Sequence, residues 1–568
     1  MPENEVITFD RGLNSRKAPL LLEDGELVTA SGISFDTIGS IAPRSSKQKV
    51  SATQVGTING MHRNVNTVFL SDAGTLRYKW DLDGYCDLYV PADGDFTSLG
   101  SLNSSKRPVF CDYETFTFLV NGSDKKVFQG THLYEWDINA PIVGPLGTAG
   151  AAGNPSGTYY LYYTYLVYFP NGHAVETAPS PAGSVTVSSQ KIAWTNITPC
   201  PYVGEGLTIY RKLYRYSTTL IETYYVTTIG DNTTTTYTDN ESDATLQINS
   251  IIDTDGYITP PENPTWIESH LQRMFVVKDQ YLYPSEPYYP FNFDATNVLQ
   301  VTQEGDPLQC AVRWGDQLFL PTKGTWYRLQ GSSADTWAIK KSFAHNGIIN
   351  PHTVKATRYG ILGLWTDGLY LFDGSISKNV TSKYIAPSVF TGISDSDACY
   401  SEWDGRKYYF YYPESGSTIS KCLVLDMLNY PEVVPYYNDF LATAHHYDKE
   451  TTITYYGYDG YHYEEGGTDT VVLSIRTGDR AVKNIVKQKQ LHYFFYDINT
   501  GGKDVVVTIY LDDTSAFTKT INTSTRTKER VLLPQKSGYR ISVAVTATDA
   551  RGMTIYEPWA IAVNLTGD

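Results

Sequence analysis

Three aspartates close together in the sequence are the first candidates for chemistry. Asp81, Asp83 and Asp87 lie around Gly84 in the stretch DLDGYCD. Carboxylates that alternate around a glycine are typical of calcium-binding loops, but this stretch lacks the twelfth-position Glu and the spacing of an EF-hand. We therefore predict no metal and no other cofactor. The stretch is interpreted as an acidic hairpin turn, with these three aspartates kept as the metal-ligand candidates.

Histidines and acidic residues could support hydrolysis. His445 and His446 are adjacent, and His345 and His352 lie near Ser, Asp or Glu residues, but no GxSxG elbow accompanies them. Glycoside hydrolysis needs two carboxylates facing each other across the bond, a geometry that sequence does not place. No P-loop and no dinucleotide fingerprint is present. We predict that the chain is not an enzyme, and a glycan-degrading propeller stays open as an alternative.

Two aromatic clusters could bind ligands by stacking. They are the runs 288–291 (YYPF) and 461–463 (YHY). Aromatic faces stack on sugars and bases, yet buried tyrosines with satisfied hydroxyls also pack between strands. A receptor-binding or glycan-binding propeller is therefore a second alternative.

The composition indicates an acidic, strand-rich protein. The 568 residues carry a net charge of −16 and include 46 Tyr, a residue that favours strands. This charge argues against a surface that binds phosphates all over, although a nucleic acid could pass an acidic wall without adhering. The six cysteines form no CxxC pair, which favours buried thiols in a protein made in a cytoplasm. No apolar run is long enough to span a membrane.

Turn signals punctuate the chain at short intervals and predict an all-β fold. In the stretch YGILGLWTDGLYLFDG (359–374), the pairs Asp367-Gly368 and Asp373-Gly374 separate short apolar strands. We expect Gly368 to take the positive φ of a tight hairpin turn. So short a hairpin is not stable alone, and a spacing of 40 to 50 residues between such hairpins is typical of propeller blades.

The distribution of short strands and turns along the sequence predicts a multidomain β-propeller with an inserted immunoglobulin- or fibronectin-like sandwich and a C-terminal β-sandwich. The Gly-, Ala- and Pro-rich strip 140–155 is interpreted as a linker. The predicted parts are an extended N-terminal arm with the first strand (1–50), the first part of the propeller (51–150), the inserted sandwich (156–262), the second part of the propeller (265–470) and the C-terminal sandwich (471–568).

Several short motifs, taken in order, resemble the tail nozzle (tail tubular protein B-like) β-propeller virion proteins of short-tailed bacteriophages. The matching stretches are GLNSR (Gly12, Leu13, Asn14, Ser15, Arg16) with LLL (20–22) and DGE (24–26), then RMFV (273–276) with YPSEP (283–287), and finally DGLYLFDG, which contains Asp367, Gly368, Asp373 and Gly374.

The resemblance implies a structural role in the virion tail. The chain would form a homo-oligomeric ring, expected to be a hexamer, below the portal and adaptor complex. The ring would form the channel through which genomic DNA leaves without sequence-specific binding, would help to gate ejection, and would contact tail fibres or a needle. Synthesis would take place in the bacterial host cytoplasm. The residues expected to serve structure and assembly are Gly12, Leu13, Asn14, Arg16, Asp367, Gly368, Asp373 and Gly374.

Overall fold

The computed structural model describes residues 2–36, 39–64, 67–72, 74–80 and 96–566, and in this part of the chain most of the regular structure is β-strand. The helical segments of the described residues are short. They are α1 (Asp243–Leu246), α2 (Pro387–Thr391) and the 3-10 turns Pro19–Leu21, Ala295–Asn297, Ala334–Thr336 and Pro351–Thr353. The fold is therefore built by pairing between strands.

The strands before the insert form two blade-like sheets and contribute to others. They are β1 (Glu3–Ile7), β2 (Gly12–Leu13), β3 (Glu26–Ser31), β4 (Ile33–Ser34), β5 (Ser40–Pro43), β6 (Lys47–Lys49), β7 (Ile58–Asn64), β8 (Thr67–Asp72), β9 (Thr75–Trp80), β10 (Thr97–Ser101), β11 (Val109–Tyr113), β12 (Phe116–Val120), β13 (Lys125–Gln129) and β14 (His132–Glu135). Strands β7–β10 and β11–β14 form four-stranded sheets in which consecutive strands are neighbours, the arrangement found in propeller blades.

The insert is a sandwich of two sheets, ordered β15-β19-β22 and β17-β16-β20-β21 with β18 beside β16. Its strands are β15 (Leu146–Ala152), β16 (Gly157–Tyr168), β17 (Ala174–Glu176), β18 (Gly183–Val187), β19 (Gln190–Thr195), β20 (Thr208–Ser217), β21 (Tyr224–Ile229) and β22 (Tyr237–Asp239). Alternate residues of β16, such as Leu161 and Tyr163, are buried in one core with Trp194 of β19. The linker predicted at 140–155 is wrong in part, because β15 lies within it and pairs with β19.

The second run of hairpins follows the insert. Its strands are β23 (Tyr257–Ile258), β24 (Trp266–His270), β25 (Arg273–Lys278), β26 (Tyr281–Glu286), β27 (Tyr289–Asp294), β28 (Leu299–Gln300), β29 (Val312–Trp314), β30 (Gln317–Pro321), β31 (Trp326–Gln330), β32 (Ala338–Lys341), β33 (Lys355–Thr357), β34 (Gly360–Trp365), β35 (Gly368–Phe372), β36 (Ser377–Asn379), β37 (Tyr400–Trp403), β38 (Lys407–Tyr412), β39 (Lys421–Asp426), β40 (Val434–Asn438), β41 (Ala444–Tyr447), β42 (Thr454–Tyr458) and β43 (Tyr461–Glu465). Strands β29–β32, β33–β36 and β37–β40 are again blade-like antiparallel runs, and β24–β26 belong to a sheet with β23, β27 and β28.

The C-terminal region is a second sandwich. Its strands are β44 (Leu473–Thr477), β45 (Gln488–Asn499), β46 (Val505–Leu511), β47 (Thr514–Ile521), β48 (Thr527–Leu532), β49 (Ser537–Gly538), β50 (Ile541–Ala547), β51 (Thr554–Tyr556) and β52 (Trp559–Thr566). One sheet contains β45, β51 and β52, and the other contains β44, β50, β46 and β47. Trp559 and Phe494 of the first sheet share a core with Val507 and Val545 of the second.

The described residues among the first 50 include six strands, β1–β6, and each is paired, which corrects the expectation of an extended arm. Strand β1 pairs with β52, and β3 pairs with β44 of the C-terminal sandwich. Strand β6 pairs with β43, so it supplies the fourth strand of the sheet that contains β41–β43. Pairing satisfies the backbone groups that an arm would leave to solvent.

The described chain divides into two compact units. Unit 1 comprises 1–98, 321–326 and 341–568, and unit 2 comprises 99–320 and 327–340. Unit 1 contains the C-terminal sandwich with its N-terminal strands and the sheets of β33–β43, and unit 2 contains the insert. The predicted fold class is confirmed: the chain is all-β and multidomain, with propeller-type sheets, an inserted sandwich and a C-terminal sandwich. Among the described helices, none has the length and apolarity needed to cross a membrane.

Candidate functional site

The N-terminal motif residues 12–16 lie in a hydrogen-bonded region of unit 1. This region, in which residues 12–16 contact β3, β40 and residues 382–386, is called the joint below. Gly12 and Leu13 form β2, which runs parallel to β3 with Gly12 opposite Glu26. Gly12 has φ +72°, and a Cβ at this position would lie 2.5 Å from the carbonyl oxygen of Pro435. Only glycine fits both the left-handed backbone and this close approach to β40.

Asn14 is the buried residue of the joint, and its side chain forms hydrogen bonds within it. Its side chain is buried, its Nδ2 donates to Glu26 Oε1 at 2.8 Å, and its Oδ1 accepts from the backbone N–H of Arg16 at 3.0 Å. Burial alone would raise the pKa of Glu26, but bonds from the backbone of Glu23 and from Asn14 and Lys17 outweigh it and hold the pKa below its usual value. Glu26 is therefore a buried carboxylate with its lone pairs occupied.

Arg16 and Ser15 attach the same joint to the segment between β36 and α2. Arg16 donates from its guanidinium to the carbonyl oxygen of Ser382, and Ser15 donates from its backbone N–H to Tyr384 O at 2.8 Å. Ser15 Oγ accepts from the backbone N–H of Ala386 at 3.1 Å. The five motif residues 12–16 thus connect β3, β40 and residues 382–386.

Gly368 has a different role from the predicted one. The two turn residues are Thr366 and Asp367, Gly368 is already the first residue of β35, and its φ is not positive. The prediction of a positive φ is therefore wrong. A Cβ at this position would lie 2.4 Å from Asn379 Nδ2 and 2.7 Å from Thr381 Oγ1, so a larger residue would displace these two side chains.

Asp373 and Gly374 form the turn at the other end of β35. Gly374 has φ +94°, and Asp373 Oδ1 accepts from the backbone N–H groups of Ser375 and Ile376, each at 2.9 Å. Gly368 and Arg16 both contact the segment 379–384, whereas Asp373 and Gly374 follow the opposite end of the strand. The structure therefore connects the N-terminal motif and the Asp367-Gly368 pair through the segment 379–384.

A polar cleft of about 590 Å³ borders this joint. Its carboxylates outnumber its cations, and the charged residues that line it are Asp10, Glu23, Glu26, Asp36, Asp426, Glu432, Arg11, Lys383 and Arg406. Arg406 pairs with Asp36 at 2.7 Å and, through Nε, with Asp426 at 3.0 Å. Four of the six carboxylates, namely Glu23, Glu26, Asp36 and Asp426, are therefore already paired with cations. Sequence reasoning missed Asp36, Arg406 and Asp426, because Asp36 and Arg406 are far apart in sequence and no local pattern connects them.

Buried charges hold β6 in its sheet. Arg44 pairs with Asp439 and, at 2.9 Å, with Asp469. Lys47 Nζ donates to Tyr456 OH at 2.9 Å and pairs with Glu465 at 2.8 Å. Burial is the largest cause of a lowered Lys47 pKa. These contacts join the N-terminal segment to residues more than 390 positions later.

The structure describes the histidine candidates for hydrolysis but not the three metal-ligand candidates. Asp81, Asp83 and Asp87 lie outside the described residues, and among the described residues no group of three or more His, Cys, Asp or Glu is placed to hold a metal ion. His445 is buried, and its Nδ1 lies 3.1 Å from Tyr411 OH. Burial first, and then nearby Lys47, holds the pKa of His445 well below its usual value.

The raised pKa of Glu557 should make the free energy of unfolding depend on pH. Its Oε1 accepts from the backbone N–H of Phe9 at 2.7 Å, and burial raises its pKa to about 7 from 4.5. Between pH 4.5 and 7 the Glu557 carboxyl stays protonated in the folded protein but is ionised in the unfolded chain. The contribution of Glu557 to the free energy of unfolding therefore falls as the pH rises from 4.5 to 7. The shift corresponds to roughly 3 kcal/mol. We expect Glu557→Gln, which keeps the Oε1 acceptor, to remove this loss.

Urea unfolding at pH 5 and pH 8 checks this expectation. The free energy of unfolding of the unsubstituted protein should fall more between the two pH values than that of Glu557→Gln. The difference between the two proteins at each pH cancels the titration of every other group. Equal falls in both proteins would show that Glu557 ionises normally.

Comparison with known proteins leaves the family open. No family model matches the chain, and no curated protein matches it. Solved structures with similarity include apo AztD from Citrobacter koseri, with 11% identity, a TM-score of 0.32 and coverage of 71% of this chain and 92% of that chain. PorZ of Porphyromonas gingivalis has 9% identity, a TM-score of 0.22 and coverage of 91% and 99%. The extracellular domain of BT4673 from B. thetaiotaomicron has 9% identity, a TM-score of 0.18 and coverage of 98% and 97%. Scores this low carry no argument about function.

Proposed function

We propose that the chain is a structural protein of the tail of a short-tailed bacteriophage, a nozzle or tail-ring component at the DNA exit below portal and adaptor. The observation that supports this is the joint described above. Asn14 is bonded to Glu26, and Ser15 and Arg16 are bonded to residues 382–384. Residues 14–16, one of the stretches that carry the resemblance, thus hold distant parts of unit 1 together, as expected for a protein that bears mechanical load.

The proposed mechanism uses assembly and charge, without a catalytic step. A ring forms when one surface of a copy binds a different surface of the next and the rotation closes. Each copy carries a net charge of −16. A channel lined with negative charge repels the DNA backbone, so DNA passes without adhering. The same charge makes copies repel one another, and added salt screens that repulsion.

The mass and symmetry of the full-length protein test this proposal. Native mass spectrometry and negative-stain imaging should show a sixfold ring, alone or after addition of a phage portal–adaptor complex. The ring should be favoured at high salt. Duplex DNA should not be retained by the ring at moderate salt. A monomer or trimer that is indifferent to the adaptor would overturn the nozzle role.

A receptor-binding or glycan-binding role is the second candidate, because two adjacent tyrosines are exposed in unit 2. Tyr288 is 56% exposed and has φ +65°, and Tyr289 is 50% exposed. The backbone N–H of Tyr288 donates to Gln272 O at 2.9 Å, which fixes the turn. Adjacent exposed aromatic rings are suited to stacking on sugar rings.

An oligosaccharide array distinguishes this candidate. Binding that is lost in Tyr288→Ala/Tyr289→Ala and kept in Tyr458→Ala, an exposed tyrosine elsewhere, would favour a glycan-binding protein over a nozzle. Release of reducing sugar from a bound oligosaccharide would instead favour the glycan-degrading alternative. No binding by the unsubstituted protein would remove both alternatives.

A further inference from the structure

Two exposed aliphatic side chains stand on a turn at one end of the C-terminal sandwich. Ile485 is 53% exposed and Val486 is 75% exposed, just before β45 begins at Gln488. Consecutive side chains point in different directions, so a turn that exposes both protrudes from the surface around it. A single exposed aliphatic residue is common on protein surfaces, whereas an adjacent pair on a protruding turn indicates a candidate contact site.

The turn, which comprises residues 484–487, is held in one conformation by hydrogen bonds. The backbone N–H of Val486 donates to Asn484 Oδ1 at 2.9 Å. The ammonium of Lys489 is fully buried, and it donates to the carbonyl oxygen of Asn484 and, at 2.7 Å, to that of Lys487. The aliphatic pair is therefore presented by a preorganised turn, which lowers the entropic cost of ordering it on binding.

The charge at this end of the sandwich is opposite in sign to that of the whole chain. Residues 471–568 contain 13 Lys and Arg against 9 Asp and Glu, in a chain of net charge −16. The segment 481–489 lies beside 534–540, because Lys489 pairs with Gly538 of β49. These two segments, called the basic tip below, contain no Asp or Glu and five cations, which are Lys483, Lys487, Lys489, Lys536 and Arg540.

Carboxylates offset only part of the positive charge of the basic tip. Three described carboxylates contact it: Glu3 pairs with Lys483 at 2.6 Å, Asp479 lies 3.6 Å from the Arg540 guanidinium, and Asp512 accepts from the backbone N–H of Arg540 at 3.0 Å. Lys489 and Lys536 form no ion pair with a carboxylate in the described part of the chain. Cations therefore outnumber the described carboxylates here, so this end attracts an anionic partner.

Aliphatic side chains beside cations fit a phospholipid surface better than a nucleic acid or a protein. Surfaces that lie on membranes combine apolar side chains with Lys and Arg, and Tyr is enriched where a bilayer meets water. Tyr539 is 44% exposed, and its OH accepts from Gln488 Nε2 at 3.3 Å beside the turn. A nucleic acid would be bound through its phosphates and would leave Ile485 and Val486 in water. A protein partner would need a cavity that encloses the protruding turn, whereas a fluid bilayer rearranges around it.

We propose that the basic tip docks on the surface of an anionic phospholipid bilayer. Ile485 and Val486 enter the boundary between headgroups and acyl chains, and the cations lie beside the lipid phosphates. Because the whole chain has a net charge of −16, an anionic membrane repels most of its surface and admits it by this end. Two aliphatic residues give weak, reversible binding, which several linked copies would strengthen. The docking requires no ring, so its test is independent of the nozzle role.

Flotation of the full-length protein with lipid vesicles tests the docking. Vesicles of equal parts phosphatidylglycerol and phosphatidylcholine should bind roughly tenfold more protein than vesicles of phosphatidylcholine alone, and added salt should weaken the binding. Ile485→Ser/Val486→Ser should weaken it roughly tenfold. Val203→Ser/Ile221→Ser is the matched control in the insert, where these residues are 73% and 87% exposed, and it should leave the binding unchanged. No binding, or equal binding to both kinds of vesicle, would overturn the proposal.

A single exposed charge provides the second arm of the test. Lys536→Glu should weaken binding to the phosphatidylglycerol vesicles roughly tenfold or more, because it replaces attraction to the lipid phosphates with repulsion. Lys449→Glu, at an exposed position outside the basic tip, changes the net charge by the same amount and should weaken the binding far less. Equal effects of the two variants would overturn the proposal. Circular dichroism reports whether the serine variant is folded, and the comparison of the two glutamate variants decides the question if it is not.

Two further measurements distinguish the other possible partners of the basic tip from a membrane. Self-association that is lost in Lys536→Glu in sedimentation velocity without lipid, with vesicle binding unchanged, would show that the tip binds a second copy. Retention of duplex DNA that is lost in Lys536→Glu but kept in Ile485→Ser/Val486→Ser, again with vesicle binding unchanged, would show a nucleic-acid surface. Either result would overturn the membrane proposal.

Discussion

Replacing Arg215 with leucine is expected to lower the free energy of unfolding of the insert by about 3–5 kcal/mol. The guanidinium of Arg215 is fully buried and pairs with the equally buried Asp239 at 2.7 Å and with Asp243 at 2.8 Å. It also donates to Glu241 O at 3.0 Å. Removing the cation leaves the Asp239 carboxylate in the core without its compensating charge, and that desolvated charge is the source of the loss.

Hydrogen exchange of the full-length protein, followed by mass spectrometry, measures this effect on β16 and β20. Their amide exchange should accelerate in Arg215→Leu. The double variant Arg215→Leu/Asp239→Leu removes both charges and should recover most of the protection. Arg11→Leu is the matched control, because Arg11 pairs with Glu23 at the same 2.7 Å but in solvent, and such a pair contributes about 1 kcal/mol or less. Equal effects of Arg215→Leu and Arg11→Leu would contradict the prediction.

Arg44→Leu is expected to detach β6 from its sheet and to destabilise unit 1 by about 3 kcal/mol. Arg44 is buried between Asp439 and Asp469, and it also donates to Thr470 O at 3.3 Å. Without the guanidinium the two carboxylates, both mostly buried, repel each other. Amide exchange of β43, the partner of β6, should accelerate together with a lower urea midpoint.

Lys47→Met is the matched control, because Lys47 is the first residue of β6 and Arg44 lies three residues before it. Lys47 is also buried, but its partner Glu465 is partly exposed and also accepts from Tyr456 OH at 2.9 Å. Glu465 therefore remains solvated and bonded when the lysine is removed. We expect a change of about 1 kcal/mol or less, as for a pair with an exposed partner, with β43 still protected. A larger loss in Lys47→Met than in Arg44→Leu would contradict this account of how β6 is held.

The local parts of the fold were predictable because they depend on short-range patterns. Asp373-Gly374 forms the expected turn with a positive φ at Gly374. Burial of alternate residues in β16 follows the two-residue period of a strand. Turn geometry and strand alternation each involve a few neighbouring residues, so the sequence alone specifies them.

Predictions that depended on distant contacts failed or were missed. Gly368 was expected to serve the turn, but it is a strand residue that the side chains of Asn379 and Thr381 approach closely. The Gly-, Ala- and Pro-rich residues 140–155 suggested a linker, yet β15 within this strip pairs with β19. In each case the deciding atoms belong to residues outside the local pattern. The composition of a segment does not reveal whether another strand pairs with it, and this pairing decides whether the segment forms a strand.

By itself, the sequence determined that the chain is all-β, that it contains an inserted and a C-terminal sandwich, and where many of its turns lie. Only the tertiary structure decided that β6 completes the sheet of β41–β43, that Asn14 holds Glu26, and that Arg215 neutralises Asp239. Strand pairing at long sequence separation is set by which backbone edges and charges meet after folding, and this information is distributed over the whole chain.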